Sequence, residues 1–191
     1  ENTGFAEVGR PATFELIAVD PEGRRQSGES VDLRLTRRSW NWIKKKSAAG
    51  TWYTDTEAVD EPAGSCQVTT NETSATCVLT PDKPGFHIIA ATVTDGAGRK
   101  QTTRSGFYVI GGGWVSWKRD DTDRIDLVPD KPLYDIGETA HVLVKSPYPE
   151  AEAIVTTERE GGMSARHVHL AGAAATVDVA LGEGAIPNVF V

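Results

Sequence analysis

Few side chains in this sequence have the type and spacing to do chemistry. Cys66 and Cys77 are its only cysteines. Ser65 to Thr70 runs into Asn71-Glu72, and Thr73 to Val78 returns. With Asn71-Glu72 as a two-residue hairpin loop, Thr70 faces Thr73 and Cys66 faces Cys77 across the ladder. Opposite positions that exchange no hydrogen bonds come within the Cα separation a disulfide requires. A disulfide is therefore expected in preference to two free thiols, which places the protein outside a reducing cytosol. Zinc is not expected, because two cysteines leave a tetrahedral shell half filled.

His167 and His169 put both rings on one face of a strand, a spacing that metal sites use. His87 and His141 lie on separate strands and supply no third ligand nearby in sequence. The pair is therefore read as solvent-facing, and no metal is expected. Asp120, Asp121 and Asp123 lack the glycine turn and the distal bidentate glutamate of a calcium loop. Asn71-Glu72-Thr73 has the pattern of an N-glycosylation acceptor. No serine sits in a Gly-x-Ser-x-Gly elbow, and no glycine-rich phosphate cradle precedes a helix. The carboxylates are spread over many turns, so no acid/base pair stands out. The sequence points to no catalytic residue and no cofactor, and the chain is not expected to be an enzyme.

Charge narrows the partners. The chain carries a net charge of −7, whereas nucleic-acid binding needs a basic face. Lys and Arg number 13 against 14 Asp and Glu over residues 1–111, and 7 against 13 over residues 112–191. The basic residues Arg37, Arg38, Lys44, Lys45 and Lys46 gather around Trp40 and Trp42. Such a cluster suits either contact with phosphate or a membrane surface, or a solvated hairpin whose lysines keep an exposed edge soluble. The second reading is the simpler one. No apolar run approaches the ~18–20 residues of a membrane-spanning helix. Glu1 opens a polar stretch and the chain stops on Asn188-Val189-Phe190-Val191, so it reads as a piece of a longer protein.

The elements that must hold these residues are strands. Val31, Leu33 and Leu35 alternate with polar residues, a period of two that fits a half-buried strand. Phe14, Leu16 and Ala18 repeat it, as do Val142 with Val144 and Val177 with Val179. Turn signals separate these runs, among them Pro21-Glu22-Gly23, Pro84-Gly85 and Gly161-Gly162. The expected fold is all-β: two tandem antiparallel β-sandwiches of immunoglobulin or fibronectin type, the second possibly incomplete. Strands are expected over 12–19, 30–37, 51–60, 65–70, 75–80, 85–95 and 101–110. Further strands are expected over 124–128, 139–146, 152–160, 163–170 and 174–181, with a start at 187–191. The resulting division is a first domain over 1–112, a linker over 113–123 and a second domain over 124–191. Gly111-Gly112-Gly113 marks the boundary, and Trp114 and Trp117 are expected to pin the linker against a neighbour.

One stretch is more specific. Leu127-Val128-Pro129-Asp130-Lys131-Pro132-Leu133-Tyr134-Asp135-Ile136-Gly137-Glu138 leads into Val142-Leu143-Val144-Lys145-Ser146-Pro147 and then Ile154-Val155-Thr156-Thr157-Glu158-Arg159. The series resembles the macroglobulin-type domains of the alpha-2-macroglobulin family, particularly its bacterial members. Pro84 to Ala91 and Thr94 to Arg99 resemble the closing strands of a preceding domain of that kind. The likeness is best over residues 80–191 and weaker before them.

The resemblance implies a non-catalytic fragment of a broad-spectrum protease trap, adjoining its bait region and transmitting a conformational change. Its partners would be target proteases, met through the full-length protein, and other domains of the same chain. Its location would be periplasmic, cell-envelope or extracellular. The family's thioester motif, Cys-Gly-Glu-Gln, is absent, since Gln67-Val68 follows Cys66 and Val78-Leu79 follows Cys77. A competing reading is an adhesin or carbohydrate-binding module that stacks sugars on Trp40, Trp42 and Trp52.

Overall fold

The computed structural model describes residues 5–95, 97–118, 125–159 and 162–191. Strands dominate: β1 (Phe5–Glu7), β2 (Ala12–Leu16), β3 (Ser30–Lys46), β4 (Trp52–Thr69), β5 (Ala75–Leu79), β6 (Gly85–Thr94), β7 (Lys100–Ile110), β8 (Leu127–Pro129), β9 (Thr139–Lys145), β10 (Ala151–Arg159), β11 (Gly162–Leu170) and β12 (Ala174–Ala180). A 3-10 turn, Glu183–Ala185, follows. The all-β expectation holds. The expected strand at 187–191 is reduced to one bridge, in which Phe190 and Glu158 exchange hydrogen bonds of 3.0 and 2.9 Å.

In the N-terminal half, a five-stranded sheet ordered β1-β7-β6-β3-β4 faces the two-stranded sheet β2-β5. Val31, Leu33 and Leu35 of β3 bury against Cys77 and Leu79 of β5, with Phe14, Leu16, Ile89, Val93 and Phe107 closing the core. The alternation in β3 is thus the inner face of a sandwich. All the ladders are antiparallel except β1 with β7, which runs parallel through Phe5↔Tyr108, Ala6↔Val109 and Glu7↔Ile110. In the C-terminal half, the sheet β12-β9-β8 faces β10-β11. Ala140, Val142, Val144, Leu170, Val177 and Val179 form the buried core there.

Besides β1, which lies outside every expected strand, two features of the first sandwich differ from the expectation. The expected strands 51–60 and 65–70 are one strand, β4. A bulge against β3 at Leu35/Thr36 lets the ladder pass Pro62, Ala63 and Gly64. Proline is tolerated because β4 is an edge strand whose outer N–H groups need no partner. Beside it, β3 runs on to Lys46, well past residue 37, so β3 and β4 form a long ribbon.

The second difference is the setting of the disulfide. Cys66 and Cys77 are bonded, with Cα atoms 6.5 Å apart. They do not face each other in a hairpin. Cys66 pairs with Leu33 of β3, and Cys77 pairs with Phe14 of β2. The two strands belong to different sheets, so the bond ties one layer of the sandwich to the other. The turn at Asn71, where Oδ1 accepts from the Thr73 N–H at 2.8 Å, crosses between layers instead of reversing within one. Both cysteines point into the core because each lies on the inner face of its own strand.

The link closes a short loop, for which a stabilisation of about 3 kcal/mol is typical. The Cys66→Ser, Cys77→Ser double variant should lose about 2–4 kcal/mol in urea titration. Non-reducing peptide mapping of the parent should recover residues 66 and 77 in one linked fragment. An unchanged midpoint in the double variant would remove the bond from any stabilising role.

Candidate functional site

The best-formed junction in the molecule lies where the two sheet pairs meet. Phe86 of β6 and Tyr108 of β7 stand on the outer face of the five-stranded sheet, with ring centroids 5.4 Å apart. Trp40 of β3 packs on Phe86 at 6.0 Å. Trp117 stands edge-on to Tyr108 at 5.9 Å and is 4% exposed. Its indole N–H donates to the Ala173 carbonyl at 2.8 Å, which satisfies the polar end of a ring buried in an apolar setting. Val115 and Trp117 form one buried cluster with Leu143, Ala173 and Ala174 from the second half. Lys145 lies 5.7 Å from the Tyr108 ring and 5.8 Å from Trp117, while its Nζ pairs with Asp126 at 2.6 Å. Charge and ring quadrupole thus meet at the seam.

Backbone contacts reinforce the seam. Gly111 bridges Ala174, and the Ala173 N–H donates to the Gly113 carbonyl at 3.4 Å. Gly172 approaches so closely that a Cβ there would lie 3.4 Å from the Gly112 Cα. A Cβ on Gly111, at φ +154°, would meet Val8 at 2.8 Å. Gly172 therefore lets its backbone close on that of residues 111–113, and Gly111 makes room for Val8. Trp117 is buried in this seam, whereas Trp114 is exposed.

The motif that carries the family resemblance folds into a compact knot at the end of the β9–β12 ladder where Ala180 pairs with Thr139, away from the Lys145–Ala174 end at the seam. The Tyr134 hydroxyl donates to Asp130 Oδ1 at 2.6 Å and accepts from the Lys131 N–H at 3.0 Å. Asp130 Oδ1 also accepts from the His141 N–H at 2.9 Å. Lys131 pairs with Glu138 at 2.7 Å, and Glu138 accepts from the Asp135 N–H at 2.8 Å. Gly137, at φ +89°, sends its N–H to the Leu181 carbonyl at 2.7 Å. Burial pushes the Tyr134 hydroxyl up to about 12, and the Asp130 carboxylate adds to that. Burial acts against the charged form of Asp130, yet the bonds from Tyr134 and His141 hold it below the usual carboxylate range. β9 stops at Lys145, and the buried Ser146 hydroxyl then bonds back to Tyr148. An apolar cleft of about 380 Å³ opens between this knot and residues 181–191, lined by Leu133, Ile136, Leu181 and Ile186 among others.

Apart from the two cysteines, the residues weighed for chemistry do not come together among the described residues. His167 and His169 are exposed on β11, and His169 sits 2.8 Å from Glu152 and 3.3 Å from Glu150. The Glu152 contact raises His169 above the ordinary imidazole value. His141 is likewise raised by Asp178, 2.6 Å away across the β9–β12 ladder. His87 lies in the other sandwich, 0% exposed and stacked on Phe107 at 5.8 Å. Its Nδ1 lies 3.3 Å from the Gly85 carbonyl, and its Nε2 finds no partner among the described residues. No three His, Cys, Asp or Glu side chains among the described residues could share a metal ion. Asp120, Asp121 and Asp123 lie outside the described residues. The sequence reading did not foresee the buried His87 or the Lys145 contact, since neither sits in a motif; only the seam brings Lys145 to its rings.

Residues 1–114 match the family model for bacterial macroglobulin domain 6. The chain belongs to that family. The macroglobulin match falls on the N-terminal sheet pair, where the motif likeness was weaker. An alpha-2-macroglobulin homolog of Nostoc sp. is 25% identical over 187 residues, which is 98% of this chain and 10% of the relative. Two solved structures, Salmonella alpha-2-macroglobulin reacted with methylamine and the native conformation of E. coli alpha-2-macroglobulin, are 15% and 14% identical. Each is covered over 11% of its length and 94% of this chain, with TM-scores of 0.43 and 0.45. This macroglobulin chain spans about a tenth of the length of the relatives it matches.

Two outcomes follow for these side chains. Tyr134→Phe removes a hydroxyl that serves both Asp130 and the Lys131 N–H, and should cost about 1–3 kcal/mol in chemical denaturation. Burial holds His87 below the ordinary imidazole value, Gly85 opposes this and Arg37 assists it. As pH falls below about 6.5 the unfolded chain takes up a proton that folded His87 refuses. That share of stability is present above this pH and is lost as pH falls towards the depressed folded value. His141 and His169, being raised, act in the opposite sense, so the comparison needs a variant. Urea midpoints of His87→Phe should fall less than those of the parent between neutral pH and mild acid. Parallel curves would contradict a neutral buried imidazole.

Proposed function

We propose that the chain is a non-catalytic bracing segment of a larger, bacterial alpha-2-macroglobulin-like protease inhibitor. In this reading residues 1–112 and 124–191 are two β-sandwich modules and 113–123 is the strut between them. The observation that carries it is the seam: a fully enclosed Trp117 with its N–H bonded to Ala173 makes the strut part of both modules. Modules joined by a buried cluster move as one unit, whereas a solvated linker lets them swing. A displacement imposed at one end is then delivered at the other, which suits a segment that relays a shape change after a bait is cut elsewhere. The family match over residues 1–114 and the relative from Nostoc support this placement. The disulfide supports an oxidising location such as the periplasm, the cell envelope or the exterior. No helix among the described residues is long and apolar enough to cross a membrane.

Two measurements test the role. Incubated with several unrelated proteases, the 191-residue chain should leave their activity on small and protein substrates unchanged. Tight inhibition by the chain alone would contradict the bracing role. Trp117→Ala should cost about 3–5 kcal/mol and expose the 111–118 segment to limited proteolysis while both sandwiches resist. If the segment stays as resistant as in the parent, the seam is not what joins the modules.

A further inference from the structure

Pro84 and Gly85 carry the strut on one side and a pair of polar side chains on the other. A Cβ on Gly113 would lie 3.8 Å from Pro84 Cγ. A Cβ on Gly85, at φ +125°, would meet Val115 Cγ1 at 3.2 Å and Arg37 Nε at 3.6 Å, so strut and guanidinium converge over that glycine. Val115 belongs to the buried cluster of the seam. Arg37 Nε donates to the Pro84 carbonyl at 2.9 Å, and His87 Nδ1 lies 3.3 Å from the Gly85 carbonyl. Two side chains of the first sandwich thus hold the dipeptide on which the strut rests.

One of the two can change its charge. A carbonyl only accepts, so the proton of neutral His87 sits on Nδ1 and the lone pair on Nε2. That Nε2 has no partner among the described residues, and the ring is shut off from water. A second proton there makes a donor without an acceptor and a cation in an apolar setting. Arg37 faces His87 across the β3–β6 ladder and opposes such a cation, whereas Asp82 in the preceding loop favours it. Glu61 of β4 lies 3.4 Å from Arg37 and 3.3 Å from Lys83, so it already answers two cations. From β7 the ring meets Phe107, which carries no charge.

We propose that His87 is an acid-sensitive latch on the strut: a proton taken from solvent at Nε2 drives the ring away from Arg37, frees Pro84 and Gly85, and releases residues 113–118 while both cores stay folded. Such a latch regulates the bracing role and rests on that reading. Release is local because β6 begins at Gly85, whereas the aliphatic core starts further along the strand at Ile89 and is tied across its layers by the disulfide. The two modules are then coupled at neutral pH and uncoupled in acid, the range in which imidazoles act as switches. In the open form the imidazole titrates near its ordinary value of about 6.5. Each pH unit below that value raises the open-to-closed ratio by up to roughly tenfold.

The test follows proteolytic cleavage within residues 111–118 of the 191-residue chain, in the parent, His87→Phe and Trp117→Ala. Rates are compared at equal pH, so the protease's own pH dependence cancels. Between neutral pH and about pH 5, the parent rate divided by the His87→Phe rate should rise roughly tenfold or more, while β3 and β9 stay resistant. A ratio that does not change with pH would overturn the latch, as would cleavage of the strut only in step with the cores. If His87→Phe fails to fold, the parent is compared with Trp117→Ala, whose strut is open at every pH. The parent rate should then approach the Trp117→Ala rate in acid, and a constant gap would overturn the latch. Trp117→Ala also separates the two readings. A strut as resistant in that variant as in the parent at neutral pH defeats the bracing role and the latch with it. A labile strut there, with no acid response in the parent, defeats the latch alone.

Discussion

Enclosure of one indole ring organises the relation between the two halves of this molecule. Trp117 is large enough to reach Tyr108 on one sandwich while its N–H reaches the Ala173 carbonyl of the other. A ring of that size removes much apolar surface from water, and the single hydrogen bond prevents the usual penalty of burying a polar group. Everything nearby is arranged to permit it. Gly172 closes on residues 111–113 from the opposite side, and the Lys145 ammonium stands over the rings while its charge is answered by Asp126.

The same economy shapes each sandwich. In the first, a core of β3 and β5 aliphatic side chains is supplemented by a covalent tie between layers. In the second, smaller half, five strands carry the core. A polar knot around Tyr134 fixes the loop that lies over them, and that loop shelters an apolar cleft. Where titratable side chains are perturbed, the causes are burial and pairing that serve the fold: Asp130 under Tyr134, His87 under Phe107, His141 beside Asp178.

Much of this was legible in the sequence. Two-residue alternation marked the buried face of β3, and the stretch from Leu127 to Glu138 carried the family resemblance. The cysteine pairing was also legible, though through the wrong geometry. Cys66 and Cys77 were placed across a hairpin, whereas they join facing layers, because short chain distance does not separate a ladder neighbour from a sandwich neighbour. Pro62 and Gly64 concealed the continuity of β4, since breakers at an edge strand create a bulge instead of an end. β1 was invisible: three residues carry no periodicity, and only long-range pairing with β7 makes them a strand. The seam was half visible, in that tryptophans after glycines suggested a pinned strut, but its partners lie some sixty residues further on.

The parallel pairing of β1 with β7 has a mechanical meaning. One strand lies near the beginning of the first sandwich and the other leads straight into the strut. Tension applied along the polypeptide between Phe5 and Ile110 pulls these strands past each other lengthwise. All three register pairs then bear load at the same moment, in shear, where a hairpin would open rung by rung like a zip. Loaded in that direction, the β1–β7 pairing resists as one unit.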